Sequence, residues 1–99
     1  MKMNIYSIKD RKGSYGNPYV MQNDELAIRD IKVAINDQKG GILNKFPEDF
    51  ELNRLGTFDT ETGKIESKIE MIINCRELKT IEKVVEENKV EHKPEINIF

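Results

Sequence analysis

The stretch that most narrows the fold of this chain runs from Phe46 to Ile65, the start of a hairpin that continues to Ile73. Pro47-Glu48-Asp49 reads as a turn, because proline presets φ and the two carboxylates keep the tip solvated. Phe50–Phe58 follows as a strand, and Gly56 inside it predicts a bulge or a close approach of another backbone. Asp59-Thr60-Glu61-Thr62-Gly63 then carries a hairpin signal: the aspartate starts the turn and the glycine takes the positive-φ position. Lys64–Ile73 returns as the partner strand, with Ile65, Ser67, Ile69 and Met71 at alternate positions. An antiparallel sheet built on this 50–73 hairpin is the expected framework.

The flanking segments supply what packs on it. Met3–Lys9 alternates at period two and predicts a strand, which Asp10–Pro18, with two glycines and a proline, breaks into a loop. Tyr19–Gln22 reads as a short extended piece. A helix is expected over Asp24–Asn36, capped by Asn23 or Asp24, with Ala27, Ile28, Ile31, Ala34 and Ile35 on one apolar face. It ends at Asp37–Gly41. Asn74 with Glu77 three residues on has capping-box spacing, and Leu78, Ile81, Val84 and Val85 predict a second helix running to about Asn88. The expected architecture is a single α+β domain over residues 1–88, in the order β-α-β-β-α, with both helices mainly on one face. Residues 89–99 read as a disordered tail ending in the apolar tip Ile96–Phe99.

Composition bounds the function. The 99 residues are 37% apolar and 34% charged, a thin core under a charged surface that dimerisation would help to cover. Residues 1–58 hold nine Lys/Arg against eight Asp/Glu, and residues 59–99 hold seven against ten, so any nucleic-acid contact must use a local patch. One cysteine, Cys75, allows no internal disulfide and no cysteine-based zinc site, and reads as a small core residue. No apolar run approaches the roughly 18 residues that span a bilayer. The start lacks a signal-peptide core, and a cytoplasmic location is expected.

Catalytic constellations are missing from the residue inventory, and neither an enzymatic role nor a metal or cofactor is expected. His92 stands alone in the polar tail, Gly13-Ser14-Tyr15-Gly16 lacks the Lys-Ser/Thr of a phosphate-binding loop, and Glu48, Asp49 and Glu51 read as a solvated acidic turn. Binding chemistry concentrates in Lys9–Tyr19, where Lys9, Arg11 and Lys12 stand beside Tyr15 and Tyr19 on a glycine-containing loop. Cations neutralise phosphates while aromatic faces stack on unpaired bases, at about 1–3 kcal/mol per base. A charged surface loop whose tyrosines pack on the core edge is the other reading of the same residues.

Several fragments, taken in order, resemble the small non-structural protein of gokushovirus-type microviruses, which are single-stranded DNA bacteriophages. They are Asn4-Ile5-Tyr6-Ser7-Ile8 with Asp10, Tyr15-Gly16-Asn17-Pro18-Tyr19, Asn23-Asp24 with Ala27-Ile28-Arg29-Asp30, and Asn36-Asp37. Pro47-Glu48-Asp49-Phe50-Glu51-Leu52, Leu55-Gly56 and Phe58-Asp59 with Thr62-Gly63 complete the set. The resemblance covers roughly residues 3–66; Gly40-Gly41-Ile42-Leu43 fits it less well, and the region after Ser67 carries little of it. It implies a non-enzymatic protein of the infected bacterium's cytoplasm that binds DNA and assists viral single-strand synthesis or genome packaging. It carries no site residues with it.

Lys9, Arg11, Lys12, Tyr15 and Tyr19 are therefore the expected DNA contacts, with Lys32 and Arg54 as further cations. The competing expectation is a protein–protein adaptor or dimeric module that engages phage replication or capsid proteins through a sheet or helix surface and through Ile96–Phe99.

Overall fold

The computed structural model describes residues 1–79. Its elements are β1 (Lys2–Asp10), β2 (Tyr19–Met21), α1 (Asp24–Asn36), α2 (Ile42–Lys45), β3 (Phe50–Asp59) and β4 (Ile65–Asn74). Single turns of 3-10 helix cover Pro47–Asp49 and Cys75–Leu78. The four strands form one antiparallel sheet in the order β2-β1-β3-β4. The class is α+β, as expected.

The element order differs from β-α-β-β-α. Tyr19–Met21 is a true strand, pairing Val20 with Ile5 and Tyr19 with Tyr6. Three residues are too few to show a period-two pattern, and the pairing that makes them a strand is non-local. The sheet is also not centred on the hairpin, because β1 and β3 are its inner strands and β4 is an edge. Where the second helix was expected, Asn74 Oδ1 accepts the Arg76 N–H at 2.8 Å and caps a 3-10 turn. The continuation to Asn88, with Ile81, Val84 and Val85, lies outside the described residues, as do the tail, His92 and Ile96–Phe99.

The β3–β4 turn follows its sequence signal. Asp59 Oδ1 accepts the Glu61 N–H at 2.9 Å, and Gly63 has φ of 78°. That backbone donation, foremost among its causes, holds the Asp59 carboxyl below its ordinary range. Gly56 packs directly on the neighbouring strand: a Cβ there would lie 2.0 Å from the Glu66 carbonyl oxygen. Register shifts beside it, since Ile5 faces Gly56 while Tyr6 faces Arg54, which leaves Leu55 as an additional residue in β3. A second irregularity pairs Leu52 with Ile73 and Asn53 with Met71, and it lets the consecutive Ile72 and Ile73 both pack against the core.

The core forms on the face of the sheet that carries Tyr6 and Leu52. Ala27, Ile31 and Ile35 of α1 pack there with Cys75 and Leu78. Cys75 is fully buried, and burial, with a smaller effect of Glu51, pushes its thiol up to about 11, so the group is an inert packing residue. Asn23 Oδ1 caps α1 by accepting the Leu26 N–H at 2.9 Å. At the other end, Asn36 Nδ2 donates to the Leu78 carbonyl and Asn44 Nδ2 to the Ile35 carbonyl, tying α1 to the segments that follow it. No helix among the described residues is long and apolar enough to cross a membrane.

Candidate nucleic-acid interface

The loop between β1 and β2 is built by its own backbone. Asp10 Oδ1 accepts the Lys12 N–H at 2.9 Å, and the Gly13 N–H donates to the Asp10 carbonyl, so residues 10–13 close a tight turn. The chain then returns along β1, with Lys9 and Tyr15 bridged and the Gly16 N–H donating to the Ile8 carbonyl at 2.8 Å. Ser7, fully buried, fixes this return by donating its hydroxyl to the Gly16 carbonyl at 2.8 Å. The loop is thus an ordered extension of the sheet.

This construction brings four of the five expected contacts together. Lys9 Nζ stands 5.5 Å from the centroid of the Tyr15 ring, and Tyr15 is exposed. Arg11 Nε approaches Glu51 Oε2 at 3.7 Å, and Lys12 Nζ approaches Asp49 Oδ2 at 3.7 Å. The acidic turn therefore has a role that sequence reading did not assign: it sits across from the basic loop. The Arg11 N–H donates to the Asp49 carbonyl at 2.8 Å and locks the two segments side by side. Both cationic side chains remain mostly exposed, and ion pairs of this length in solvent contribute about 0–1 kcal/mol. A phosphate can replace either carboxylate at little cost.

Tyr19 is not part of this group. Its ring packs on that of Tyr6 with centroids 6.0 Å apart, and burial raises its phenol pKa, with Asp30 a lesser cause. Its place is the edge of the core, the alternative reading of the loop's tyrosines. In its stead the structure supplies an apolar wall. Ile8, Leu43 and Phe50 line an open hollow of about 440 Å³ together with Tyr15, its neighbours Gly13, Ser14 and Gly16, and Asp10. Phe50 and Leu43 are half-buried residues from distant parts of the sequence, and no local signal marks them as site residues.

Arg54 has a different task from the one expected. Its Nη1 donates to both oxygens of Asp24, at 2.9 and 2.7 Å, and its Nη2 contacts Glu70 Oε1. The Tyr6 hydroxyl donates to the same Asp24 at 2.6 Å and accepts from Asn4 Nδ2 at 3.0 Å. Burial, then the bond to Asp24, pushes the Tyr6 phenol up to about 12. The hydrogen bond to Asp24 likewise raises the pKa of Arg54. A wider depression of about 650 Å³ beside this network is lined by Asn4, Arg54, Thr57, Glu66 and Lys68. Its charged groups already neutralise one another, for Lys68 pairs with Glu70 at 3.6 Å. Lys32 lies half-buried on α1. Among the described residues, no three His, Cys, Asp or Glu side chains come together as a metal site.

Residues 3–78 match the family model described as Phage ORF5 protein. The chain belongs to this family. It is 37% identical over 84 residues to Protein ORF5 of Chlamydia phage 1, covering 78% of this chain and 88% of that protein. The matched span contains every described strand and both helices except the first residue of β1, so the relationship extends over the whole sheet. The chain is thus a small phage protein of microvirus type, as the ordered fragments imply. No solved structure matches it.

Proposed function

We propose that this phage ORF5 protein is a non-enzymatic accessory factor that binds single-stranded DNA in the host cytoplasm and assists viral strand synthesis or packaging. The observation that carries the reading is the hollow walled by Tyr15, Ile8, Leu43 and Phe50, with Lys9 on the Tyr15 ring and Arg11 and Lys12 on the same loop. An unpaired base finds an aromatic and aliphatic wall there, and the adjoining phosphates find exchangeable cations. The chain's overall acidity makes this a local and strongly salt-dependent interaction.

Fluorescence anisotropy of a labelled single-stranded oligonucleotide, titrated across salt, tests it. Affinity is expected to fall as salt rises, and replacing Lys9, Arg11 and Lys12 by alanine lowers the slope by about 2. Tyr15→Ala weakens binding by roughly 5- to 150-fold, the equivalent of about 1–3 kcal/mol of stacking. Absence of binding at low salt would overturn the reading.

A second reading, a protein–protein adaptor for phage replication or capsid proteins, is favoured by Ile65, Ile69 and Met71, which stand exposed on one strand. Truncation after Lys93, which removes Ile96–Phe99, distinguishes the two: loss of phage-partner capture with oligonucleotide binding unchanged supports the adaptor.

A further inference from the structure

The outer strand β4 offers more than exposed apolar residues. It is a ten-residue edge, its outward backbone groups are unpaired among the described residues, and its pairing with β3 shifts register at Ile72 and again at Lys68–Ile69, which stand opposite Leu55. Ile65, Ser67, Ile69 and Met71 share one face; Lys64, Glu66, Lys68 and Glu70 share the other. Ile65, Ile69 and Met71 are 64%, 58% and 56% exposed, although each is a large apolar side chain. Edges of this length are normally protected by charges that repel a second strand. Here the charges alternate in sign, and neighbours along the strand already associate, Lys64 with Glu66 and Lys68 with Glu70, each at 3.6 Å.

We infer that β4 pairs antiparallel with β4 of a second copy of this chain, about a two-fold axis through Ser67. In that register Ile65 faces Ile69 of the second copy. Glu66 faces its Lys68, Lys68 its Glu66, and Lys64 its Glu70, so every charged position meets the opposite sign. The two even registers on either side fail. Centring on Glu66 sets Glu66 on Glu66 and Lys64 on Lys68, and centring on Lys68 sets Lys68 on Lys68 and Glu66 on Glu70. Like charges directly opposite one another destabilise a strand pair, so charge favours the Ser67 register over these two neighbours, and it is the register that pairs all four charges of Lys64–Glu70 with opposite signs. The axis stands perpendicular to the sheet, which joins two four-stranded sheets into one of eight and brings their Ile65 and Ile69 side chains together on the same side. This pairing requires neither DNA nor any phage partner, and holds whichever functional reading is correct.

Sedimentation equilibrium of the full chain without nucleic acid tests the inference. A reversible dimer is expected, weakened by roughly tenfold in Kd in either Glu66→Lys or Lys68→Glu, because each substitution sets two like-charge pairs across the axis. The double swap, Glu66→Lys with Lys68→Glu, recreates the opposite-sign pairs and restores dimerisation. Mild oxidation should link Ser67→Cys chains to each other but not Ile65→Cys chains, whose thiols lie far apart in this register, while the buried Cys75 stays free. A monomer at every accessible concentration overturns the proposal. So does a dimer indifferent to both single charge reversals, or one whose Ile65→Cys form links as readily as the Ser67→Cys form.

Discussion

Arg54 and the pair Arg11–Lys12 are basic groups facing carboxylates, yet they do different work. Arg54 is only 25% exposed, and it reaches across from β3 to the first turn of α1 with two bonds to Asp24 below 3 Å. Arg11 and Lys12 are 56% and 78% exposed and stand 3.7 Å from their acids. Short, partly desolvated, charge-assisted pairs fix geometry, whereas long solvated ones cost little to open. The first centre holds helix to sheet; the second is a surface whose partners can be exchanged. Charge type alone does not separate the two, but distance and solvent exposure do.

The most forceful way to break this contrast is at Gly56, beside Arg54 in β3. Alanine there meets the Glu66 carbonyl oxygen at 2.0 Å and must push β4 away, carrying Glu70 off Arg54. Urea unfolding is expected to show a loss of about 3–4 kcal/mol, in the range of the most damaging single substitutions. A loss below about 1 kcal/mol would mean that the strands are not so closely apposed.

Arg54→Met comes next. It leaves Asp24 and Glu70 without their shared cation, and after allowing for their partial exposure the expected loss is about 1–3 kcal/mol. Oligonucleotide affinity, measured at a temperature where the variant is folded, should not move. A fall in affinity would place Arg54 in the proposed DNA-binding surface and remove the difference between the two basic centres. Arg11→Ala with Lys12→Ala should have the smallest effect on stability, within about 0.5 kcal/mol for each residue, while weakening oligonucleotide binding. A substantial loss of stability would show that the loop cations, too, are structural.

Much of the framework is legible along the chain because its signals are local. Asp59 and Gly63 mark a turn through groups two to four residues apart, Asn23 caps α1 through an amide three residues away, and the 3.6-residue spacing of Ala27, Ile31 and Ile35 identifies the buried face. Gly56 could be recognised as a point of close approach because few other roles suit a glycine within a strand. The candidate site was legible only in part. Lys9, Arg11, Lys12 and Tyr15 lie close in sequence and remain close in space. Tyr19 has the same composition signal, but pairing with β1 turns it onto Tyr6.

By itself, then, the sequence determined a hairpin, a capped amphipathic helix, an α+β class and membership of a phage family. Each of these rests on residues within a few positions of one another or on their order along the chain. Only the tertiary structure decided that β2 belongs to the sheet, that Glu51 and Asp49 face the basic loop, and that Leu43 and Phe50 complete its hollow. It also decided that Asp24, Arg54 and Glu70 meet across gaps of 30 and 16 residues. Those contacts depend on strand register, and register is set by bulges and packing between segments distant in sequence, so no local pattern can announce it.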